Sequence, residues 1–328
     1  MKPRSRSIVI ALALVAGLLP AAHSAGEPSA SDFPNKPIRW IIPFPPGGSN
    51  DMLSRFLGAK LTNRLGQQMV IDNRGGATGI IGAEMVATAP PDGYTLLMVS
   101  TSFVMNAAVR PLPYDVEKSF DPVSMIGSSP NSIVVNPGFG VSSLRELVDR
   151  ARAQPGSINY ASTGVGGFNH FGGELFKKIA SINMVMVPYK GGGPAMIDVI
   201  SGQVPVMFTS VTQVLPNVRA GNIKMLAVGA AKRIPVLPDI PTVAEAGFPG
   251  YEVYVWWGVS APAHTPRAVL DKLRREFTAV LREPETQKLL ANDAAEVRIL
   301  TPAELRKLIH DEVKKWTGVA KQAGIRVQ

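Results

Sequence analysis

Short β-branched runs alternate with helix-length amphipathic stretches along most of this chain, and that rhythm restricts the fold more than any other feature. Residues 38–44 read as a strand and 51–65 as a helix, with Met52, Leu53, Phe56, Leu57, Leu61 and Leu65 on one stripe and Gly66 as C-cap. Strand 69–72, helix 79–89 and strand 94–100 follow, and short strands are expected at 124–127 and 133–136. The rhythm restarts at Ser142, where Ser143 and Glu146 form a capping box for a helix ending at Ala153. Next come strand 158–161, helix 167–180, strand 184–189, helix 194–201, strand 204–209, helix 211–220 and strand 224–230. A long strand at 251–260 leads to helices at 266–281, 284–292 and 302–323, with a short strand at 296–299. Such alternation argues for an α/β fold of parallel sheets with helices on both faces. The length suggests two domains, and the amphipathic C-terminal helices are expected to cover the first sheet.

The ends and the composition narrow the class. Lys2, Arg4 and Arg6 precede an apolar run at 8–19, and Ala22-His23-Ser24 supplies small residues at the positions a signal peptidase reads, so residues 1–24 are expected to be a cleaved signal peptide. The chain has no cysteine, which excludes disulfides, thiolate metal sites, a thiol nucleophile and a lipid-anchored cysteine. A soluble exported protein without an anchor implies a Gram-negative periplasm. The formal charge of +9 falls to +6 once the three basic residues of the signal are removed. The Lys and Arg residues form no block and do not interleave with aromatics, so no nucleic acid partner is expected.

Two turns carry the functional signal. In "IRWIIPFPPGGSND" a strand runs into Pro46, Gly47, Gly48 and Ser49 just where a helix begins. In "INYASTGVGGFNHFGG" the plan repeats with Ser162, Thr163, Gly164, Gly166 and Gly167. A helix N-terminus offers unpaired N–H groups, and glycines let an anion reach them. One such turn is ordinary chain punctuation, but a pair in separate halves suggests two lips of one cleft at the carboxyl ends of the strands. A third candidate is "NRGGATGIIGAE", with Thr78, and the end of the third strand places Ser100 on the same side. His170 and Lys190 are further candidates for ligand contact; local packing and a solvated surface are the simpler readings of each. Competing motifs fail: no G-x-G-x-x-G, P-loop or G-x-S-x-G is present, and the three histidines left after processing are scattered. No catalytic residue, metal or cofactor is therefore expected. Tyr254, Trp256 and Trp257 read as interdomain core.

"PFPPGGSND", "NRGGATGIIGAE", "PDGYTLL", "YASTGVGGFNHFGGELF", "PYKGGGPAMIDVISGQV" and "AVGAAKRIPVLPDIPTVAEAGFPGYEV" together resemble the Bug family, the periplasmic solute receptors of tripartite tricarboxylate transporters. The resemblance spans the mature chain. It implies a type II periplasmic-binding-protein fold, a Venus flytrap of two α/β domains joined by two crossing strands, here 124–129 and 251–260. Domain 1 would comprise residues 31–127 plus 255–328, and domain 2 residues 128–254. A ligand carboxylate would meet the first turn, mainly through its backbone, and a second polar end the second turn. The sequence departs from many relatives at Pro205, where an acid is common, and at Phe168, where a small or polar residue is common. The implied role is a monomeric receptor that captures a small organic acid for membrane permease subunits or for a sensor domain. The alternative is an exported α/β enzyme acting on a small carboxylate.

Overall fold

The computed structural model describes residues 32–325, and its main body begins at Pro34. The expected signal peptide lies outside the described residues. Chain order is β1 (Ile38–Ile42), α1 (Ser49–Leu65), β2 (Met69–Asn73), a 3-10 turn (Ala77–Gly79), α2 (Ile80–Ala87), β3 (Thr95–Ser100), α3 (Thr101–Val109) and β4 (Phe120–Val135). Then follow α4 (Leu144–Ala153), β5 (Asn159–Ser162), α5 (Phe168–Ala180), β6 (Val185–Pro188), α6 (Gly192–Ser201), β7 (Val206–Ser210), α7 (Val211–Arg219) and β8 (Lys224–Val228). The chain closes with β9 (Tyr254–Pro262), α8 (Arg267–Arg282), α9 (Pro284–Asn292), β10 (Glu296–Val297) and α10 (Pro302–Ala323).

The strands run β2-β1-β3-β9-β4-β7-β5-β6, with β8 and β10 also paired to β4. β1, β2 and β3 are mutually parallel, as are β5, β6 and β7, but β9 and β4 join them antiparallel. The sheets are thus mixed rather than wholly parallel. Each parallel trio is one half of an α/β fold, and two strands tie the halves together. β4 pairs with β9 over its first part and with β7 and β8 from Asn131 onward. The segment before β9 is held by the second half, where Val253 donates to the Gly229 carbonyl at 3.1 Å and its own carbonyl accepts from Asn131 at 2.7 Å, before β9 itself enters the first half beside β3.

β4 is one strand of 16 residues where the sequence suggests two shorter ones. Pro122 and Pro130 break the pattern, because proline cannot donate to a ladder. The strand absorbs irregularity through register shifts at Pro122/Ser124 and Met125/Gly127. Helix α3 has no counterpart among the elements expected from sequence. It follows β3 without a glycine or proline between them, so no punctuation marks the change of period.

Burial explains the halves. Ile38, Trp40, Ile41 and Ile42 of β1 are buried, as are Leu53, Leu57, Leu61 and Leu65 of α1. Each such side chain contributes about 1.5–3 kcal/mol. Trp40 meets Phe277 of α8 edge-on, with ring centroids 5.3 Å apart. The second half packs Val134, Ala161, Met207, Val214 and Leu215 in one cluster. α10 does more than cover the first sheet, because its Trp316 stacks edge-on against Phe171 of α5 at 5.3 Å. Trp256 and Trp257 are buried as expected, whereas Tyr254 stays partly open.

Candidate ligand-binding site

Six strand-to-helix turns converge, three from each half: those after β1, β2 and β3, and those after β5, β6 and β7. A cavity of about 40 Å³ lies among them, lined by backbone and side chains that include Gly48, Ser49, Asn50, Ser100, Ser102, Thr163, Asn169, Gly192, Thr209, Ser210 and Gln213, with Phe44, Phe168 and Val255 as apolar walls. None of its lining side chains is charged. Two amides dominate its chemistry. Asn169 is buried, its Oδ1 accepts from Thr163 Oγ1 at 3.2 Å, and its Nδ2 has no partner. Gln213 repeats the device: Oε1 accepts from Thr209 Oγ1 at 3.0 Å, and Nε2 has no partner. A buried amide donor left unpaired costs about 1–3 kcal/mol, so two in one neutral cavity point to an acceptor that belongs there. The helix caps Gly48 of α1 and Gly167 of α5 carry no side-chain cap, which leaves N–H groups and the positive helix ends facing the same region.

The opening glycine turn is bare for a reason the sequence did not disclose. Gly47 adopts φ +88°, and its N–H already donates to Asp51 Oδ2 at 3.1 Å. Asp51 is buried and also accepts from Arg55 and from Asn73 Nδ2 at 3.0 Å. Burial alone would raise its pKa, but the hydrogen bonds from Arg55, Gly47 and Asn73 outweigh it and hold the carboxyl below its ordinary value. The turn then abuts the glycines of "YKGGGPA": a Cβ on Gly191 would lie 2.7 Å from Pro45 Cδ, and one on Gly193 would collide with the Pro46 carbonyl oxygen.

A second contact across the halves mirrors the first. Thr78, itself at φ +58°, enters the notch of Gly164 and Gly167, where added Cβ atoms would lie 2.5 and 2.8 Å from its side chain. Thr78 Oγ1 donates to the Val165 carbonyl at 3.1 Å, and Arg110 of the first half donates to the same oxygen. Asn106 Nδ2 holds the Thr78 carbonyl at 2.9 Å. Ser102 Oγ accepts from the Phe168 N–H at 3.1 Å, a third bridge.

A larger chamber of about 630 Å³ lies between these two contacts, lined in part by Pro46, Asn73, Thr78, Thr163, Gly164 and Lys190. Thr163 lines both spaces. The sequence-derived candidates therefore divide. Gly48, Ser49, Ser100 and Thr163 line the inner cavity, and Pro46, Thr78, Gly164 and Lys190 the outer chamber. Gly47 and Gly167 serve the contacts between halves. Ser162 braces its own turn by donating to the Gly164 carbonyl at 3.1 Å. Gly166 gives its N–H to His170 Nδ1 at 3.1 Å. His170 is accordingly a local cap and lines neither cavity; burial, opposed by Glu174 and reinforced by Lys177 and Arg110, holds its pKa below the ordinary value. Pro205 also lies away from both, its carbonyl accepting from Asn136 at 2.9 Å.

Asn50, Asp51, Ser102, Asn169, Thr209, Ser210 and Gln213 are not among the candidates the sequence suggests. One signal was available: β3, β5 and β7 end in Ser100, Ser162 and Ser210 respectively, so the rule that pointed to Ser100 reaches the Thr209–Gln213 turn as well.

Residues 53–325 match the model of the tripartite tricarboxylate transporter family receptor. The chain belongs to that family. It is a solute-binding receptor and not an enzyme, as the resemblance to Bug proteins implied. BugT of Bordetella pertussis is 35% identical over 320 residues, covering 97% of this chain and 98% of that one. Among solved structures, a Rhodopseudomonas palustris protein with adipate is 35% identical with a TM-score of 0.87, covering 90% of this receptor and 99% of its own chain. MatC from the same organism with bound malate is 30% identical with a TM-score of 0.84, covering 88% and 99%. The receptor thus has the expected two-domain α/β fold. Among the described residues, no helix is long and apolar enough to cross a membrane.

Proposed function

We propose that this receptor works in the periplasm, as a monomer, closing on a small organic acid and presenting it to the permease subunits of a tripartite transporter or to a sensor domain. The domain boundaries inferred from sequence, 31–127 plus 255–328 against 128–254, fit this reading because three of the converging turns come from each side. One observation carries it: Asn169 Nδ2 and Gln213 Nε2, both buried and unpartnered, line a single uncharged cavity. A carboxylate offers the acceptors those amides lack, and the N-termini of α1 and α5 stabilise its charge without a paired cation. Gly48, Ser49, Ser100 and Thr163 complete the proposed inner site, with Pro46, Thr78, Gly164 and Lys190 outside it. Adipate and malate in two relatives support an acid of modest size.

Isothermal titration of the processed protein with a panel of mono-, di- and tricarboxylates tests the assignment. At least one acid should bind, and its primary amide should bind about 1.5–3 kcal/mol more weakly, the range for hydrogen bonds to a charged group. Asn169→Asp replaces the free donor with an acceptor of the same shape and should weaken the acid at least as much. An amide that binds as tightly as its acid rules the reading out.

A further inference from the structure

The outer chamber contains one side chain with nothing to do. Asn73 is fully engaged, since its Nδ2 donates to the Phe44 carbonyl and to Asp51, and its Oδ1 accepts from Arg55. The Tyr189 hydroxyl donates to Asp198 Oδ2 at 2.7 Å. Thr78 donates to Val165 and Thr163 to Asn169. Lys190 remains: it is exposed, and among the described residues its ammonium has no hydrogen bond or ion pair. No acidic side chain lines the chamber. The three donors of Lys190 are therefore the free side-chain donors of this space.

The position is fixed although the side chain is exposed. Lys190 follows Tyr189, whose N–H donates to the Ser162 carbonyl at 2.8 Å, and precedes Gly191, packed on Pro45. Its backbone is thus pinned on both sides at the chamber rim. The two spaces differ sharply in character. The inner one is small, neutral and rich in amide and hydroxyl groups; the outer one is far larger and carries a single cation, about 630 Å³ against about 40 Å³.

We propose that Lys190 is a specificity-determining residue that reads a second anionic group at the far end of the ligand. The inner cavity takes one carboxylate, the chain passes Thr163, and the far acid group meets the Lys190 ammonium in the outer chamber. This rests on the inner-site reading given above. An exposed ammonium gives modest, salt-screened attraction, so it discriminates between ligands that already bind instead of creating affinity by itself.

The probes are matched unbranched acids of four to eight carbons, each as the monocarboxylate and as the α,ω-dicarboxylate, titrated calorimetrically into the wild type and Lys190→Met. At one chain length or more, the wild type should prefer the diacid by about five- to tenfold, with the preference shrinking as salt is raised. Lys190→Met should erase that preference by weakening the diacid alone, and Lys190→Arg should retain it. Equal weakening of both series would mean a structural role and overturn the proposal, as would a diacid preference that survives Lys190→Met. In either case monocarboxylate binding leaves the inner-site reading standing. Failure of every acid in both series to bind either protein would overturn both.

Discussion

Thr78 of the first half sits in a notch made by Gly164 and Gly167 of the second, with its Oγ1 donating to the Val165 carbonyl at 3.1 Å. Thr78 crowds both glycines, but their backbones differ. Gly164 has φ +117°, which strains any side chain, whereas Gly167 has ordinary φ −95° and excludes a Cβ only through Thr78 Cγ2 at 2.8 Å. Gly167→Ala should weaken ligand binding by about 1–3 kcal/mol, the usual cost of overpacking. Thr78→Ser removes Cγ2 but keeps the hydroxyl, so it should restore most of that loss when added to Gly167→Ala. A double-mutant cycle in binding calorimetry checks this; additive effects would show that the two residues do not press on one another in the ligand-bound form.

His170 makes a pH-dependent contribution to stability. Its Nδ1 accepts from Gly166 only while the ring is neutral, and burial depresses its pKa from the ordinary 6.5. Between the folded and unfolded pKa values the unfolded chain binds more protons, so stability rises with pH there. The contribution is complete above about pH 6.5 and is lost as pH falls through the depressed folded value. Glu174, Lys177 and Arg110 are the charged groups facing the ring. An asparagine in its place can accept through the side-chain oxygen without titrating, so the His170→Asn variant should show a flatter loss of stability below pH 6.5 in urea titrations at stepped pH. An unchanged slope would place the pH dependence elsewhere.

Much of the architecture was legible because period and punctuation agree. Gly66 ends α1 with φ +68°, and Ser143 caps α4 by accepting from Glu146 N–H at 3.2 Å. Even there the match is partial, since the Glu146 carboxylate accepts from the N–H of Ser142 and not from that of Ser143. What escaped were features that arise only when distant segments meet. Nothing local to Gly193 says that Pro46 will lie against it. The helix expected from Asp51 starts two residues earlier, with Gly48 as its cap and Ser49, Asn50 and Asp51 in its first turn. Asn169 and Gln213 carry no local signal, because a free amide is visible only after Thr163 and Thr209 have taken its other end.

Asp51 should prove essential to the first turn. It fastens the Gly47 N–H, Arg55 and Asn73 at once, so Asp51→Asn replaces a charged acceptor with a neutral amide. The expected loss is about 1–3 kcal/mol of unfolding free energy at pH 7. Because the folded pKa is lowered from 3.8, the wild-type contribution is present above that value and disappears as pH falls through the folded one. The variant should therefore differ strongly from wild type at pH 7 and much less in strong acid. Chemical denaturation at both extremes measures the gap; a gap that stays constant would mean that Asp51 acts through packing alone.

Gly193→Ala should separate folding from closure. Gly193 lies in the first turn of α6, in an N-terminal stretch of glycines that are poor helix formers, and alanine is better there by up to about 1 kcal/mol. Nothing in α6 itself opposes the change. The opposition comes from the other half, because the new Cβ would meet the Pro46 carbonyl oxygen, a backbone atom that cannot rotate away. Relief requires the two halves to part or the turn after β1 to shift, and either movement disturbs Gly48 and Ser49 at the inner cavity. Thermal unfolding without ligand should accordingly be unchanged or slightly higher, while affinity for the best carboxylate falls by about 1–3 kcal/mol. Scattering in the presence of saturating acid should give a larger radius of gyration than wild type. If affinity and radius both match the wild type, the contact between Gly193 and Pro46 has no part in holding the ligand.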